Sequence, residues 1–84
     1  MMIPTIHLNG TGAEALKREI EAAVDAVGTA MRAVANMTVH GRDYYPQGPD
    51  AFGRALTEHQ NRRMRLLSVL DELVEMYNKL EEVK

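Results

Sequence analysis

One long interruption separates two stretches of helical periodicity in this 84-residue chain, and it predicts a hairpin of two helices. The interruption, Gly41–Pro49, contains two of the three tyrosines and two of the three prolines. Connections between antiparallel helices usually span about 2–8 residues. A longer link that also carries Arg, Asp and Gln indicates a functional site as well as a turn.

The first helix is predicted over residues 13–38. Its apolar side chains recur at alternating steps of four and three residues, and charged side chains occupy the other faces. The stripe consists of Leu16, Ile20, Ala23, Val27, Ala30 and Val34, and it is widened by Val24 and Met31. Thr11 and Glu14 match a capping box, so we expect the Thr11 hydroxyl to accept a hydrogen bond from the Glu14 N–H. Gly41 is expected to end this region in a left-handed cap.

The second helix is predicted over residues 49–84, because Pro49 and Asp50 suit the positive end of a helix. Its seam again follows steps of four and three: Phe52, Leu56, His59, Arg63, Leu66, Leu70, Leu73, Tyr77 and Leu80. Only His59 and Arg63 interrupt this seam with a charge or an imidazole. Such polar seam residues either contact a ligand or fix the pairing of subunits. Alternatively, their stems pack at the edge of the stripe and their heads reach water.

These elements predict an all-α fold, a single helical-hairpin domain over residues 1–84 with an extended N-terminal arm at 1–12 and a loop at 39–48. Ile3, Ile6 and Leu8 give the arm an apolar character, and Pro4 confines any strand pairing to an edge. A frayed tail is the alternative. Two helices leave much of both broad stripes uncovered, so we expect assembly into an oligomeric helical bundle, a homodimer or a higher oligomer.

Composition argues against several classes of protein. Ten Lys and Arg against 12 Asp and Glu give a net charge of −2, which offers no basis for binding extended nucleic acid. The absence of Cys excludes disulfides and thiolate metal sites. The first residues have neither a basic region nor a long apolar run, so we expect a cytoplasmic protein without a membrane partner.

Catalytic motifs are missing from the sequence. His7, His40 and His59 are far apart and form neither an H-x-x-x-H nor an H-E-x-x-H motif, so no metal site is predicted. No glycine-rich phosphate loop is present, and the one serine, Ser68, lies in the middle of the second helix. We therefore expect a binding protein, not an enzyme, with no catalytic residues and no cofactor.

The candidate ligand site combines the loop with the arm of a second subunit, because an antiparallel dimer brings these two segments together. Arg is a forked donor for phosphate or carboxylate, Tyr offers a stacking surface, and amides read the edges of a base. As alternatives, the tyrosines cap the end of the bundle, and the Arg–Asp pair orders the loop. The predicted ligand-binding residues are His7, Asn9, His40, Arg42, Asp43, Tyr44, Tyr45, Gln47, His59 and Arg63.

Two segments, Ile3–Thr11 and Gly41–Phe52, resemble small proteins encoded by tailed phages and prophages. The resemblance implies a phage setting, in which some small helical oligomers sequester the nucleotide signals of bacterial immunity. We expect a non-enzymatic protein that binds a small anionic, nucleotide-like ligand at a subunit interface in the host cytoplasm. The alternative is a structural or assembly adaptor that docks another phage protein or a host protein.

Overall fold

A computed structural model of the chain describes residues 1–82, which contain two long helices and no strand. Helix α1 spans Ala13–Ala35 and helix α2 spans Ala51–Glu81. Two 3-10 helices of three residues each connect them, the first at Gly41–Asp43 and the second at Tyr45–Gln47. The predicted all-α hairpin is confirmed. Residues 83 and 84, which were predicted to end the second helix, lie outside the described residues.

The helix ends differ from the sequence prediction in their capping. The backbone of Gly12 caps α1 and no side chain does, so the predicted Thr11–Glu14 capping box is wrong. Gly12, in extended conformation, occupies the N-cap position, so Thr11 lies one residue before the position that a capping box requires. At its other end α1 stops at Ala35, three residues before the predicted boundary, with Asn36 as the C-cap.

The second helix also starts later than predicted, at residue 51, and the Asp50 side chain makes no capping hydrogen bond. The predicted left-handed glycine was Gly41. Within residues 1–82, Gly48 is the residue with a positive φ, at 118°, and it directs the chain from the second 3-10 helix towards α2.

The helices pack antiparallel and are joined by polar contacts near the end where the arm begins. Lys17 Nζ lies 2.9 Å from Glu14 Oε1 and 3.3 Å from Glu81 Oε1. Chiefly through the hydrogen bond to Glu14, these carboxylates raise the pKa of Lys17. The Tyr77 hydroxyl donates to Glu21 Oε1 at 2.8 Å, and this bond raises the pKa of Tyr77 to about 12.

The hairpin buries very little. Ile20 and Leu80 are the buried apolar side chains of the described chain, and His59 is the buried polar one. The molecule measures 61 × 20 × 18 Å and its radius of gyration is 18.6 Å, against about 12 Å for a compact domain of this length. Its accessible area of 6396 Å² exceeds the roughly 5,000 Å² of a compact 9.4 kDa protein.

The first twelve residues form neither helix nor strand, and the Gly10 N–H donates to the His7 carbonyl in a turn. Ile3 and Ile6 are half-buried, whereas Leu8 is 99% exposed. We still predict that this segment is an extended arm and that the chain forms an oligomer in which the arm contacts a second subunit. No helix within residues 1–82 combines the length with the apolar character that a bilayer crossing requires.

Candidate functional site

The loop between the helices is ordered by its own hydrogen bonds. His40 starts the first 3-10 helix, where its Nδ1 accepts the Arg42 backbone N–H at 3.2 Å and its carbonyl accepts the Asp43 N–H at 3.1 Å. The Tyr44 N–H donates to the Gly41 carbonyl at 2.9 Å. These bonds hold the backbone, so the Arg42 and Asp43 side chains are not needed for the turn.

A tyrosine ring covers the buried glycine of this loop. A Cβ added to Gly41 would lie 2.8 Å from the Tyr45 hydroxyl oxygen, and the ring carbon beside it is almost as close. A larger residue at position 41 would therefore displace the Tyr45 ring. That ring is itself 71% exposed, so it lies on the surface of the loop with one face turned to solvent.

The second half of the loop forms a groove with the first turns of α2. The groove has a volume of about 170 Å³ and is lined by Tyr44, Gln47, Ala51, Arg54, Ala55 and Glu58. A wider depression of about 580 Å³ adjoins it and shares Arg54 and Glu58. Together they offer a phenol ring, an amide, a guanidinium and a carboxylate on one surface, and we call this surface the loop-end groove.

Arg54 and Glu58 are two lining residues that sequence reasoning missed. The prediction confined the site to the arm, to the interruption with the preceding His40, and to the two polar residues of the apolar seam. Arg54 and Glu58 are one helical turn apart and follow the loop directly, which is the pattern that could have identified them. A guanidinium in this position supplies a forked donor for an anion next to an aromatic surface.

The structure divides the predicted loop residues into two groups. Tyr44 and Gln47 line the loop-end groove, and Tyr44 is half-buried there. The other four lie outside its lining and are exposed: His40, Arg42, Asp43 and Tyr45. In residues 1–82 the ion pairs involve Lys17 and Lys79, so the alternative of an Arg42–Asp43 pair is not seen.

His7 and Asn9 lie at the other end of the hairpin. They precede α1, whose 23 residues extend about 34 Å. The His7 ring lies against Gly10, where an added Cβ would be 2.7 Å from Nε2. A single chain therefore does not bring His7 or Asn9 to the loop, and a composite pocket with a second subunit stays a prediction.

His59 and Arg63 were expected to form the floor of one pocket beside the loop, and neither lines the loop-end groove. His59 is only 6% exposed, whereas Arg63 is exposed and lines a different cavity with Met31, Met64 and Leu67. In the antiparallel register set by Glu21 and Tyr77, α1 ends level with Arg63, so His59 lies one turn further, beside the connection.

The buried imidazole is only half satisfied. The Arg62 guanidinium lies 3.3 Å from His59 Nδ1, and since a guanidinium can only donate, Nδ1 is the acceptor and Nε2 carries the proton. Nε2 is buried and has no hydrogen-bond partner. An unpaired buried donor lowers the stability of the fold. The alternative of a head that reaches water therefore fits Arg63 and does not fit His59.

Among residues 1–82 no cluster of three or more His, Asp or Glu side chains could hold a metal ion. No protein-family model, curated protein or solved structure matches this chain.

Proposed function

We propose that this chain is a non-enzymatic binding protein of phage origin that self-associates and captures a small anionic, nucleotide-like ligand at a subunit interface. The protein would bind this ligand in the host cytoplasm. The phage setting is supported by the resemblance of the two sequence segments, 3–11 and 41–52. The binding role is supported by the loop end of the hairpin.

The observation that carries the proposal is a pair of charged loop side chains that the fold does not use. The backbone of the loop is held by hydrogen bonds to His40, Gly41, Tyr44 and Tyr45, and the Arg42 and Asp43 side chains are exposed. Ordered loops with uncommitted functional side chains are common binding sites, because the scaffold fixes the geometry that the ligand needs.

The chemistry of the loop end suits a phosphorylated ligand with an aromatic group. Arg42 and Arg54 provide forked donors for phosphate oxygens, and Tyr44 provides a ring for stacking. Gln47 and Glu58 offer an amide and a carboxylate for a base edge or a ribose hydroxyl. The groove of about 170 Å³ is smaller than most small-molecule sites, which span about 300–1,000 Å³. A second subunit that brings His7 and Asn9 would enlarge it.

A thermal-shift screen tests this proposal directly. The purified protein is heated with cyclic dinucleotides and NAD derivatives, because a ligand that binds only the folded state raises the melting temperature by mass action. We expect a shift with at least one phosphorylated compound, and a smaller shift for Arg42→Ala. Arg65→Ala, at an exposed arginine of α2 away from the loop, is the matched control and should behave as the parent.

The second candidate function is a structural or assembly adaptor, which exposed apolar side chains near the loop favour. Met37 is 55% exposed and Leu56 is 37% exposed, and exposed apolar side chains are a common feature of surfaces that another protein covers. An absence of any thermal shift across the panel would favour the adaptor. DNA binding is the third alternative, and the net charge of −2 argues against it. A gel shift at low salt should therefore detect no complex.

A further inference from the structure

A groove lined by both apolar and polar side chains runs along one side of the hairpin between the two helices. It consists of two cavities, one of about 380 Å³ lined by Glu21, Val24, Asp25, Val74 and Tyr77, and one of about 460 Å³ lined by Met31, Gln60, Asn61, Arg63, Met64 and Leu67. Val24 and Met31 are two helical turns apart, as are Leu67 and Val74. The cavities therefore follow one another along the same side, and we call them together the side groove.

The apolar side chains that α2 contributes to the side groove are exposed. Met64 is 59% exposed, Val74 is 41% exposed and Leu67 is 36% exposed. The whole chain exposes roughly 1,400 Å² more than a compact protein of its mass. A stable interface buries about 800 Å² on each partner, so the excess is large enough for one partner of similar size.

The polar residues of the side groove differ between its two ends. Glu21 and Asp25 line one cavity, and Arg63 lines the other. The Tyr77–Glu21 hydrogen bond places these two residues level with each other, and Arg63 precedes Tyr77 by fourteen residues, about 21 Å along the axis. The groove is therefore acidic at one end and basic at the other, and a second copy in the opposite direction would match it.

We propose that the side groove is covered by a second copy of this chain, related by a two-fold axis that passes near Gly28 and Leu70. Gly28 lies seven residues after Glu21, and Leu70 lies seven residues before Tyr77, so both are level with the centre of the groove. The axis places Arg63 opposite Glu21 of the partner subunit. It also places Leu67 level with the partner's Val74 along the helix axis.

Gly28 supports this position of the axis. Glycine in the middle of a helix lowers its stability relative to alanine, so a packing reason is expected for it. Within the chain there is none, because an added Cβ would meet only the flexible end of Arg32, at 3.7 Å from Nη1. A glycine next to a two-fold axis lets two helices approach closely.

This two-fold arrangement specifies the self-association that the proposed function requires. It depends on the proposed function only where it concerns the ligand. It also brings the arm of each chain level with the loop of its partner, since the two chains run in opposite directions. His7 and Asn9 would thus meet the loop residues. A failure to bind nucleotides would leave the dimer itself untouched, so the two proposals fail separately.

A charge exchange tests the polar contact across the axis. Arg63→Glu would place a glutamate opposite Glu21 of the partner subunit, and this contact occurs twice in a two-fold dimer. We therefore expect the dissociation constant of the dimer, measured by sedimentation, to rise at least tenfold. Glu21→Arg should do the same beyond the loss of its Tyr77 hydrogen bond, which Tyr77→Phe measures alone, and the double variant should restore most of the affinity. Arg65→Glu makes the same charge change on the other side of α2 and should have little effect. Equal effects of Arg63→Glu and Arg65→Glu, or no recovery in the double variant, would contradict the pairing.

Cross-linking tests the position of the axis, and the chain contains no cysteine that could interfere. Gly28→Cys places one thiol of each chain level with the axis, where a bifunctional maleimide reagent can bridge the two copies. Ala26→Cys, an exposed position on the other side of α1, is the matched control. With the reagent at micromolar protein concentration we expect a covalent dimer from Gly28→Cys and little from Ala26→Cys. A monomeric parent by sedimentation, or equal cross-linking of both variants, would overturn the proposal and leave the groove to a different protein.

Discussion

At the end of the hairpin where the arm begins, Lys17 contacts Glu14 and Glu81, and the Tyr77 hydroxyl donates to Glu21. At the loop end, the side chains of Arg42, Asp43 and Gln47 are exposed, and the loop is held by its backbone and one imidazole. Both ends are rich in polar residues. At the arm end the polar residues connect the two helices to each other, and at the loop end they do not.

The difference shows which polar residues the fold already uses. Contacts between residues 64 and 56 positions apart in sequence fix the register of α1 against α2, so Lys17 and Tyr77 have a structural role. The loop residues form contacts only a few positions apart. Substitutions at the arm end should therefore change stability, whereas substitutions at the loop end should change binding.

The largest effect is expected at Leu80, whose side chain is 1% exposed near the arm end. Leu80→Ala removes apolar contacts and leaves a cavity, and it should lower the free energy of unfolding by about 2–5 kcal/mol. Val69→Ala on the same helix, where the valine is 44% exposed, should cost much less. Urea denaturation of the two variants measures both, and similar losses would show that this end holds no core.

The next effect is expected in ligand affinity at the loop end. Arg42→Ala removes a charge-assisted contact worth about 1.5–3 kcal/mol, so affinity for a phosphorylated ligand should fall roughly tenfold to a hundredfold. Tyr44→Ala should also weaken binding. The helical signal and the oligomeric state should stay nearly as in the parent, and they are checked by circular dichroism and light scattering. Unfolding of either variant would show that the loop is an end cap.

A smaller, stabilising effect is expected at His59. The unpaired Nε2 is a buried donor, and His59→Leu removes its desolvation penalty, which should raise the free energy of unfolding by about 1 kcal/mol. Arg65→Leu, on the other side of α2 and exposed, is the matched comparison, and it should change the unfolding of the chain little. A loss of stability in His59→Leu, measured by denaturation, would show that the contact with Arg62 matters more than the orphan nitrogen.

The smallest effect concerns alkaline pH and Tyr77. Its pKa of about 12 in the folded chain lies above the usual value of 10, because the hydroxyl donates to Glu21. The folded state thus holds this proton more tightly than the unfolded state, and the resulting stability is complete below about pH 10 and lost as the pH rises through about 12. Tyr77→Phe should be less stable than the parent near neutral pH, and the difference should shrink across that range. A constant difference would contradict the raised pKa.

The periodicity of the sequence predicted the two helices well, because apolar steps of four and three are a local property of each segment. Helix ends depend on single residues and were less predictable. Gly12 caps α1 in place of Thr11, and Gly48, not Gly41, takes the positive φ. Both pairs of candidates carry similar local signals, and the position of the neighbouring turn decides between them.

The site was predictable only in part, for a physical reason. Tyr44 and Gln47 were identified because they interrupt a helical pattern, whereas Arg54 and Glu58 belong to a regular helix and join the groove only when the loop folds back on it. Likewise, His59 and Arg63 are successive positions of one seam, yet His59 is buried and Arg63 is exposed, and the periodicity does not distinguish them.

The most direct test of the central claim, that the loop-end side chains serve a ligand, is mass spectrometry of small molecules released by heating the purified protein. Material from cells that produce nucleotide signals is compared for the parent, Arg42→Ala and Arg65→Ala. We expect a phosphorylated, ultraviolet-absorbing compound from the parent and from Arg65→Ala, and much less from Arg42→Ala. Equal amounts from all three proteins, or no compound from the parent, would contradict the claim.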